Sequence, residues 1–281
     1  MTTIRSLKQI HRTVRQLAAK GKTIGLVPTM GYLHEGHQSL IRRAKKDADV
    51  VIVTIFGNPT QFGPREDLSR YPRDEKGDIK KITAAGGDIV FCPKAEEIYP
   101  EDFQTWVEVT ELTQTLEGAS RPGHFRGVTT IVAKLFNLCR PDLVVFGQKD
   151  YQQAAVLRQM TVDLGYPIKF IVAPTVREKD GLAMSSRNAY FTPEERLEAL
   201  CLVRALRSAK ALVKSGEKRA AKIKKEMEAA IFATCRTAKI DYIAFTDFNS
   251  LEPLRTIRKN TIASLAVRVH RVRLIDNMKL T

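Results

Sequence analysis

Residues 24–39 read IGLVPTMGYLHEGHQS, and the fold turns on this run. Ile24, Leu26 and Val27 form a short apolar run, Pro28 and Gly31 stop it, and HEGHQSLIRRAKK from His34 onward has helical apolar spacing and basic residues near its end. A buried strand therefore passes through a glycine turn into the start of a helix. Main-chain N–H groups and the positive end of the helix dipole can meet an anion there. His34 and His37 flank Gly36, which keeps a side chain out of that space. Two histidines at this spacing can equally be a plain helix cap, and the stretch alone leaves both open.

Outward from this run the pattern alternates. Residues 6–20 start with Ser6 and Gln9 in capping-box spacing and carry Leu7, Ile10, Val14 and Leu17 on one face, which predicts a helix stopping at Gly21. VVIVTIF at 50–56 is too apolar and β-branched for an edge, so a central parallel strand is expected. Further strands are expected at 88–92, 143–146 and 168–173, with a short one at 105–109, and helical patterns lie between them. This is an α/β chain with a Rossmann-like doubly wound parallel sheet. Later residues change character: charged amphipathic helices at 193–214 and about 219–234, the first opened by Thr192, Pro193 and Glu195, then strand-like runs at 242–245 and 262–269. They predict a second, smaller α+β C-terminal domain, with the chain divided into 1–176 and 177–281.

Composition narrows the class. The chain has 281 residues and 43% hydrophobic content, enough for a globular core, and no apolar run approaches the ~20 residues of a membrane span. Residues 1–20 lack the unbroken apolar segment of a signal peptide, so a soluble cytoplasmic protein is expected. The four cysteines are scattered without a CxxC pair, which offers no metal cage and suits reduced, buried thiols. A net charge of +15 raises nucleic-acid binding or steering of anionic substrates. Over 204–239, however, the basic residues alternate with glutamates and no aromatic interleaving makes a stacking platform, the pattern of solvated helix faces rather than of a nucleic-acid partner.

Three more turns fall at or near expected strand ends, where open α/β sheets place ligands. In GNPTQF, residues 57–62, Asn58 suits turn formation, whereas Gln61 is better explained as a substrate contact. GQKD, residues 147–150, brings Lys149, and MSSRN, residues 184–188, makes a basic polar loop with Arg187. Arg121, His124 and Arg126 gather around Gly123 and Gly127 at a helix start. There they oppose the dipole unless an anion is shared.

PTMGYLHEGH resembles the TxGxxHxGH element of the adenylyl- and cytidylyl-transferring superfamily, which includes class I aminoacyl-tRNA synthetases. With NPTQFGPREDLSRYPRD, RPGHFRGVTT, FGQKDYQQ and MSSRN in this order, the chain resembles the pantothenate synthetases, the pantoate–β-alanine ligases of coenzyme A biosynthesis, over nearly all of the first domain and into the second. The resemblance implies condensation of (R)-pantoate with β-alanine, driven by ATP cleavage to AMP and pyrophosphate through a pantoyl adenylate, in a homodimer. Attack of a carboxylate on the α-phosphorus needs positioning and cationic stabilisation, for which His34, His37, Lys149 and Arg187 are the candidates.

By resemblance, Met30, Gly31, Tyr32, Leu33, His34, Glu35, Gly36 and His37 form an ATP-binding element, with His37 as proton donor. Gly147, Gln148, Lys149, Asp150, Val176, Met184, Ser185, Ser186 and Arg187 add nucleotide contacts. Gln61 and Gln153 contact pantoate, and Gln61 also β-alanine. Magnesium is expected with ATP, held mostly by phosphate and water, with Asp150 and Asp78 as candidate ligands. Two residues depart from the family pattern: Gly57 replaces an aliphatic residue, which implies a lost packing contact near Gln61, and Ser120 replaces a frequent cysteine. Another nucleotidyltransferase or a truncated class I synthetase is the alternative enzyme, though neither an RNA-binding appendage nor a different acceptor pocket is evident.

Overall fold

The computed structural model describes residues 1–64 and 66–281; Arg65, in the polar loop read over 62–74, lies outside the described residues. The chain forms two compact units, Met1–Gln148 with Val156–Pro174, and Lys149–Ala155 with Thr175–Thr281.

The first unit contains β1 (Thr2–Ile4), α1 (Leu7–Ala19), β2 (Ile24–Thr29), α2 (Glu35–Lys45), β3 (Val50–Ile55), α3 (Glu75–Ala84), β4 (Ile89–Phe91), α4 (Ala95–Ile98), α5 (Leu116–Ser120), α6 (His124–Cys139), β5 (Leu143–Gly147), most of α7 (Tyr151–Asp163), and β6 (Lys169–Ala173). Its six strands run parallel in the order β1-β4-β3-β2-β5-β6. Val27 pairs with Val53 and Val53 with Val90, all three fully buried, as the near-continuous apolar runs required. Strand order reverses between β2 and β5, so the turns leaving these two strands flank the switch point where such sheets bind ligands.

Several local expectations change, and β2 itself runs on through Pro28, which pairs with Thr54, to Thr29. The edge strand β1 was not anticipated, because three residues with a single buried one, Ile4, carry almost no period. Ser6 occupies the N-cap of α1 but makes no side-chain capping bond. Residues 105–109 form no strand: the Thr129 hydroxyl donates to Val107 O at 2.6 Å and the Thr130 hydroxyl accepts from Val107 N–H at 3.0 Å, so threonines of α6 take the main-chain groups that a sheet neighbour would have used.

The second unit builds α8 (Pro193–Glu198), α9 (Cys201–Lys214) and α10 (Ala220–Thr234) against the antiparallel strands β7 (Lys239–Asp247), β8 (Thr261–Val269) and β9 (Val272–Lys279). Thr192 and Glu195 cap α8 reciprocally as expected, at 3.3 and 3.0 Å, but the helix breaks at Ala199 and Leu200 instead of continuing to residue 214. Leu202, Leu206, Ile223 and Met227 pack with Ile243, Phe245, Leu265, Val267 and Leu274 in one buried cluster. Strand β9 was not anticipated: Val269 pairs with Val272 across a two-residue turn, His270 and Arg271, that has none of the usual Asn-Gly or Asp-Gly chemistry. His270 itself takes φ +51°. No helix among the described residues is long and apolar enough to cross a membrane.

The turn following β3, a short 3₁₀ segment at Pro59–Gln61, lies against Gly127 of α6. A Cβ at Gly127 would stand 2.6 Å from the Thr60 carbonyl carbon and 2.7 Å from Gln61 N, and closer still to Thr60 O. Alanine would gain about 1 kcal/mol of helix propensity, but main chain meets it and must move, at a cost of about 1–3 kcal/mol or more. Gly127→Ala is therefore expected to lower the melting temperature and displace Gln61. Unchanged thermal denaturation together with unchanged ligand affinity would contradict this packing.

Candidate active site

The turn leaving β2 is held from below by α3. Gly31 and Tyr32 both have positive φ, +89° and +51°, and a Cβ at Gly31 would press on Asp78 Oδ2 and on Ile55, each at 3.1 Å. The buried Asp78 carboxylate accepts from Tyr32 N–H at 2.7 Å and from Leu33 N–H at 2.6 Å. One helical turn on, Lys81 donates to Leu33 O at 2.8 Å and lies 5.8 Å from the Tyr32 ring centre. Burial pushes the Asp78 carboxyl above the ordinary range, against the pull of the two amides. Its oxygens are thus engaged in fixing the turn.

His34 becomes the N-cap of α2. Its Nδ1 accepts from Gly36 N–H at 3.1 Å, and His37 Nδ1 accepts from His34 N–H at 3.3 Å, with ring centres 4.1 Å apart. The Gly36 amide, expected to be open to an anion, is occupied by its own neighbour. Because both Nδ1 atoms accept, each neutral ring carries its proton on Nε2, a tautomer assigned from the hydrogen-bond network. The cap therefore uses the Nδ1 atom of each imidazole.

Gln61 sits beside this turn, its Nε2 3.4 Å from Met30 Sδ. Buried Asn58 fixes its orientation: Asn58 Nδ2 donates to Gln61 Oε1 at 3.0 Å and to Gly127 O at 3.1 Å, while Oδ1 accepts from Thr60 Oγ1 at 3.0 Å and Tyr99 OH at 2.9 Å. Asn58 therefore does more than form a turn. A Cβ at Gly57 would meet nothing within 4 Å, so the expected loss of a packing contact is absent at that atom.

Within the basic cluster Arg121 finds its anion inside the protein, whereas Arg126 lies 4.8 Å from the Trp106 ring centre. Arg121 grips Glu66 through Nε at 2.7 Å and Nη2 at 2.5 Å, and its Nη1 lies 4.0 Å from Glu117. Burial would raise the Glu66 carboxyl, but the Arg121 hydrogen bonds and charge outweigh it and leave it below the ordinary range. His124 Nδ1–H donates to Gln61 O at 2.9 Å, leaving Nε2 to accept from Arg121 at 3.1 Å. This cluster thus supports the main chain of Gln61.

In the second unit, Lys149 Nζ stands 3.5 Å from the half-exposed Asp150, and Gln153 follows on α7. Val176 O accepts from Met184 N–H at 3.0 Å, and Ser185 Oγ accepts from Arg187 N–H at 3.3 Å, which starts the short helical turn Ser186–Tyr190. Asn188 Nδ2 donates to Glu178 Oε1 and Ala183 O, both at 3.1 Å, and Arg196 spans Glu178 and Asp180 at 2.6 Å each. Asn188 thus braces the basic polar loop against Glu178 and Ala183. Among the described residues no group of three or more His, Cys, Asp or Glu gathers as a metal site. With Asp78 committed to two amides, the side chains present do not build a magnesium cage.

A switch-point site with imidazole and amide donors on an open parallel sheet defines an α/β protein that binds a small, oxygen-rich anionic ligand. Residues 2–279 match the family model for pantoate-beta-alanine ligase, and the chain belongs to that family. The pantothenate synthetase of Moorella thermoacetica is 53% identical over 280 residues, covering 100% of this chain and 99% of the relative. The crystal structure of pantothenate synthetase from Thermus thermophilus superposes with a TM-score of 0.94 at 42% identity, covering 100% of this chain and 99% of that one. The ligase of Francisella tularensis, solved with beta-gamma ATP and β-alanine, gives 0.80 at 34% identity, covering 100% and 98%.

Burial, and after it the Arg121 charge, lowers the His124 imidazole to about 4. The unfolded ring titrates near its ordinary value of about 6.5, so between these values the unfolded chain binds the extra proton. The stabilisation is complete above the unfolded value and is lost as pH falls toward about 4, by roughly 3 kcal/mol. Melting curves taken from pH 7 to 4.5 should fall more steeply for the parent than for His124→Gln. Parallel curves would remove His124 as the source.

Proposed function

We propose that the protein joins (R)-pantoate to β-alanine at the expense of ATP, releasing AMP and pyrophosphate, in pantothenate and coenzyme A biosynthesis. The approach of Gln61 to Met30, 3.4 Å, carries the proposal: it sets an amide suited to a substrate hydroxyl or carboxylate against the histidine turn, in a chain of this family. That the Francisella tularensis relative was solved with beta-gamma ATP and β-alanine supports the same two ligands here.

In the first step a pantoate carboxylate oxygen attacks the α-phosphorus, the bond to the bridging oxygen breaks, and pyrophosphate leaves with the bond electrons. Charge builds on phosphate oxygens, where Nε2–H of His34 and His37 donate and Lys149 and Arg187 supply positive charge. His37 is the proton donor. Met30–His37, Gly147–Asp150, Val176 and Met184–Arg187 hold ATP; Gln61 and Gln153 hold pantoate. In the second step the β-alanine amine, once deprotonated, attacks the acyl carbon of the pantoyl adenylate, and AMP departs. Gln61 also meets β-alanine. Magnesium enters bound to the nucleotide phosphates, with Asp150 the more open of the two candidate carboxylates. A lid role for the C-terminal domain expected over 177–281, which carries Arg187, belongs to this proposal on the family resemblance alone. A homodimer, which rests on the family resemblance, and a cytoplasmic location, which rests on the sequence pattern of residues 1–20 and the lack of a membrane-length apolar run, belong to the same proposal.

AMP should form from ATP only when pantoate and β-alanine are both present, with pantoate alone giving a single bound adenylate. AMP release indifferent to both acids would sink the assignment. Arg187→Ala should lower turnover about 100-fold while shifting the melting temperature by no more than about 2 °C. Equal losses of activity and stability would make Arg187 structural instead.

A further inference from the structure

The geometry points to Asn277 and Arg177 as positioning residues for Lys149, holding it on the same scaffold as the loop that carries Arg187. This deepens the proposed function and rests on Lys149 meeting the ATP phosphates. Asn277 lies on β9, only 3% exposed, and its Nδ2 donates to the Lys149 main-chain oxygen at 2.9 Å. That bond fixes the Lys149 backbone, and hence the root of the side chain, to the sheet of the second unit. Two residues on, Tyr151 OH donates to Phe248 O at 2.5 Å and approaches Asp247 O at 3.2 Å, so the segment is pinned at a second point.

Arg177 joins this anchor to the other cation. Its guanidinium makes a two-pronged pair with buried Asp276, at 2.7 and 2.9 Å, and Nη2 also donates to Asn277 O at 3.1 Å. Nη1 donates onward to Gly181 O at 3.1 Å, in the turn that leads to Met184–Arg187. The adjacent Asn277 N–H donates to Asp276 Oδ1 at 2.7 Å. One planar guanidinium therefore spans β9 and the 177–183 turn, and Asn277 extends that span to Lys149. Arginine suits the place because its donors lie in a rigid fork. Asn277 acts through the main chain of Lys149, and Arg177 through that of Asn277 and of Gly181.

The test is a double-mutant cycle between Asn277→Ala and Lys149→Ala, read as the rate of enzyme-bound adenylate formation in single turnovers followed for hours. Asn277→Ala alone should slow this step about tenfold or more, because a displaced charge stabilises the transition state poorly. In the Lys149→Ala background the same change should matter less than about twofold, since the group it positions is gone. The melting temperature should fall too little to account for the loss, and the KM for β-alanine should stay unchanged. Equal effects in both backgrounds overturn the proposal, as does a rate loss that tracks unfolding. If Lys149→Ala forms no measurable adenylate, the cycle is read as affinity for a non-hydrolysable ATP analogue, with the same two outcomes. A parent enzyme that makes no adenylate from pantoate and ATP would instead refute the assigned reaction, which keeps the two failures distinct.

Discussion

The turn between β2 and α2 holds its shape because a buried carboxylate occupies the concave side of its main chain. Asp78 receives two consecutive amides, those of Tyr32 and Leu33. Without it, two successive residues with positive φ, one of them a tyrosine, would have little reason to stay in that conformation. Burying a carboxylate costs several kcal/mol, which two short charge-assisted bonds offset in part. The anion that this glycine turn holds through those amides is therefore the protein's own. His34 inherits its place as N-cap from this constraint, and His37 its orientation from His34.

Each of these imidazoles is committed at one nitrogen to a main-chain group, and that commitment decides what the other nitrogen can do. His34 and His37 accept at Nδ1 and so present Nε2–H. His124 is set the other way: Nδ1–H donates to Gln61 O, and Nε2 accepts from Arg121. The first arrangement suits donation to phosphate oxygens. The second consumes both nitrogens in holding a turn, and a depressed protonation keeps that ring neutral where its structural role needs it. Histidine chemistry here is thus sorted by the backbone around it and not by proximity in sequence.

Most of the architecture was legible because β2, β3 and β5 are long apolar runs ended by glycine or proline turns, and such runs have few alternatives. What escaped was whatever depends on a partner far along the chain. Asp78 reads as a candidate magnesium ligand near a helix start, 46 positions from Tyr32, and nothing in its neighbours says it is committed to that turn. Asn58 has an adequate local explanation beside Pro59, which hides its grip on Gln61 and Gly127. The cluster of Arg121 and His124 was visible as a dipole conflict, but not its resolution by Glu66, 55 residues earlier. Strand β9 was lost for a related reason: a tight turn without glycine or asparagine gives no signal that the chain reverses at His270.

The second unit shows how a small three-stranded sheet can hold a core on one face and a segment of main chain on the other. One face, with Ile243, Leu265 and Leu274, buries apolar side chains under helices and supplies the stability. The opposite face includes the cross-strand row Ala244, Ser264 and Asn277, two small residues and one amide. Small side chains let a segment of main chain approach, and the amide gives it a fixed donor. Strand alternation makes this division automatic: Asp276 and Asn277, neighbours in sequence, necessarily point to opposite faces. Asp276 binds the Arg177 guanidinium with its side chain, and Asn277 binds Lys149 O with its own. A one-residue slip of β9 would therefore disrupt the buried ion pair and the lysine anchor together, so the register that protects the core also protects the placement of the lysine.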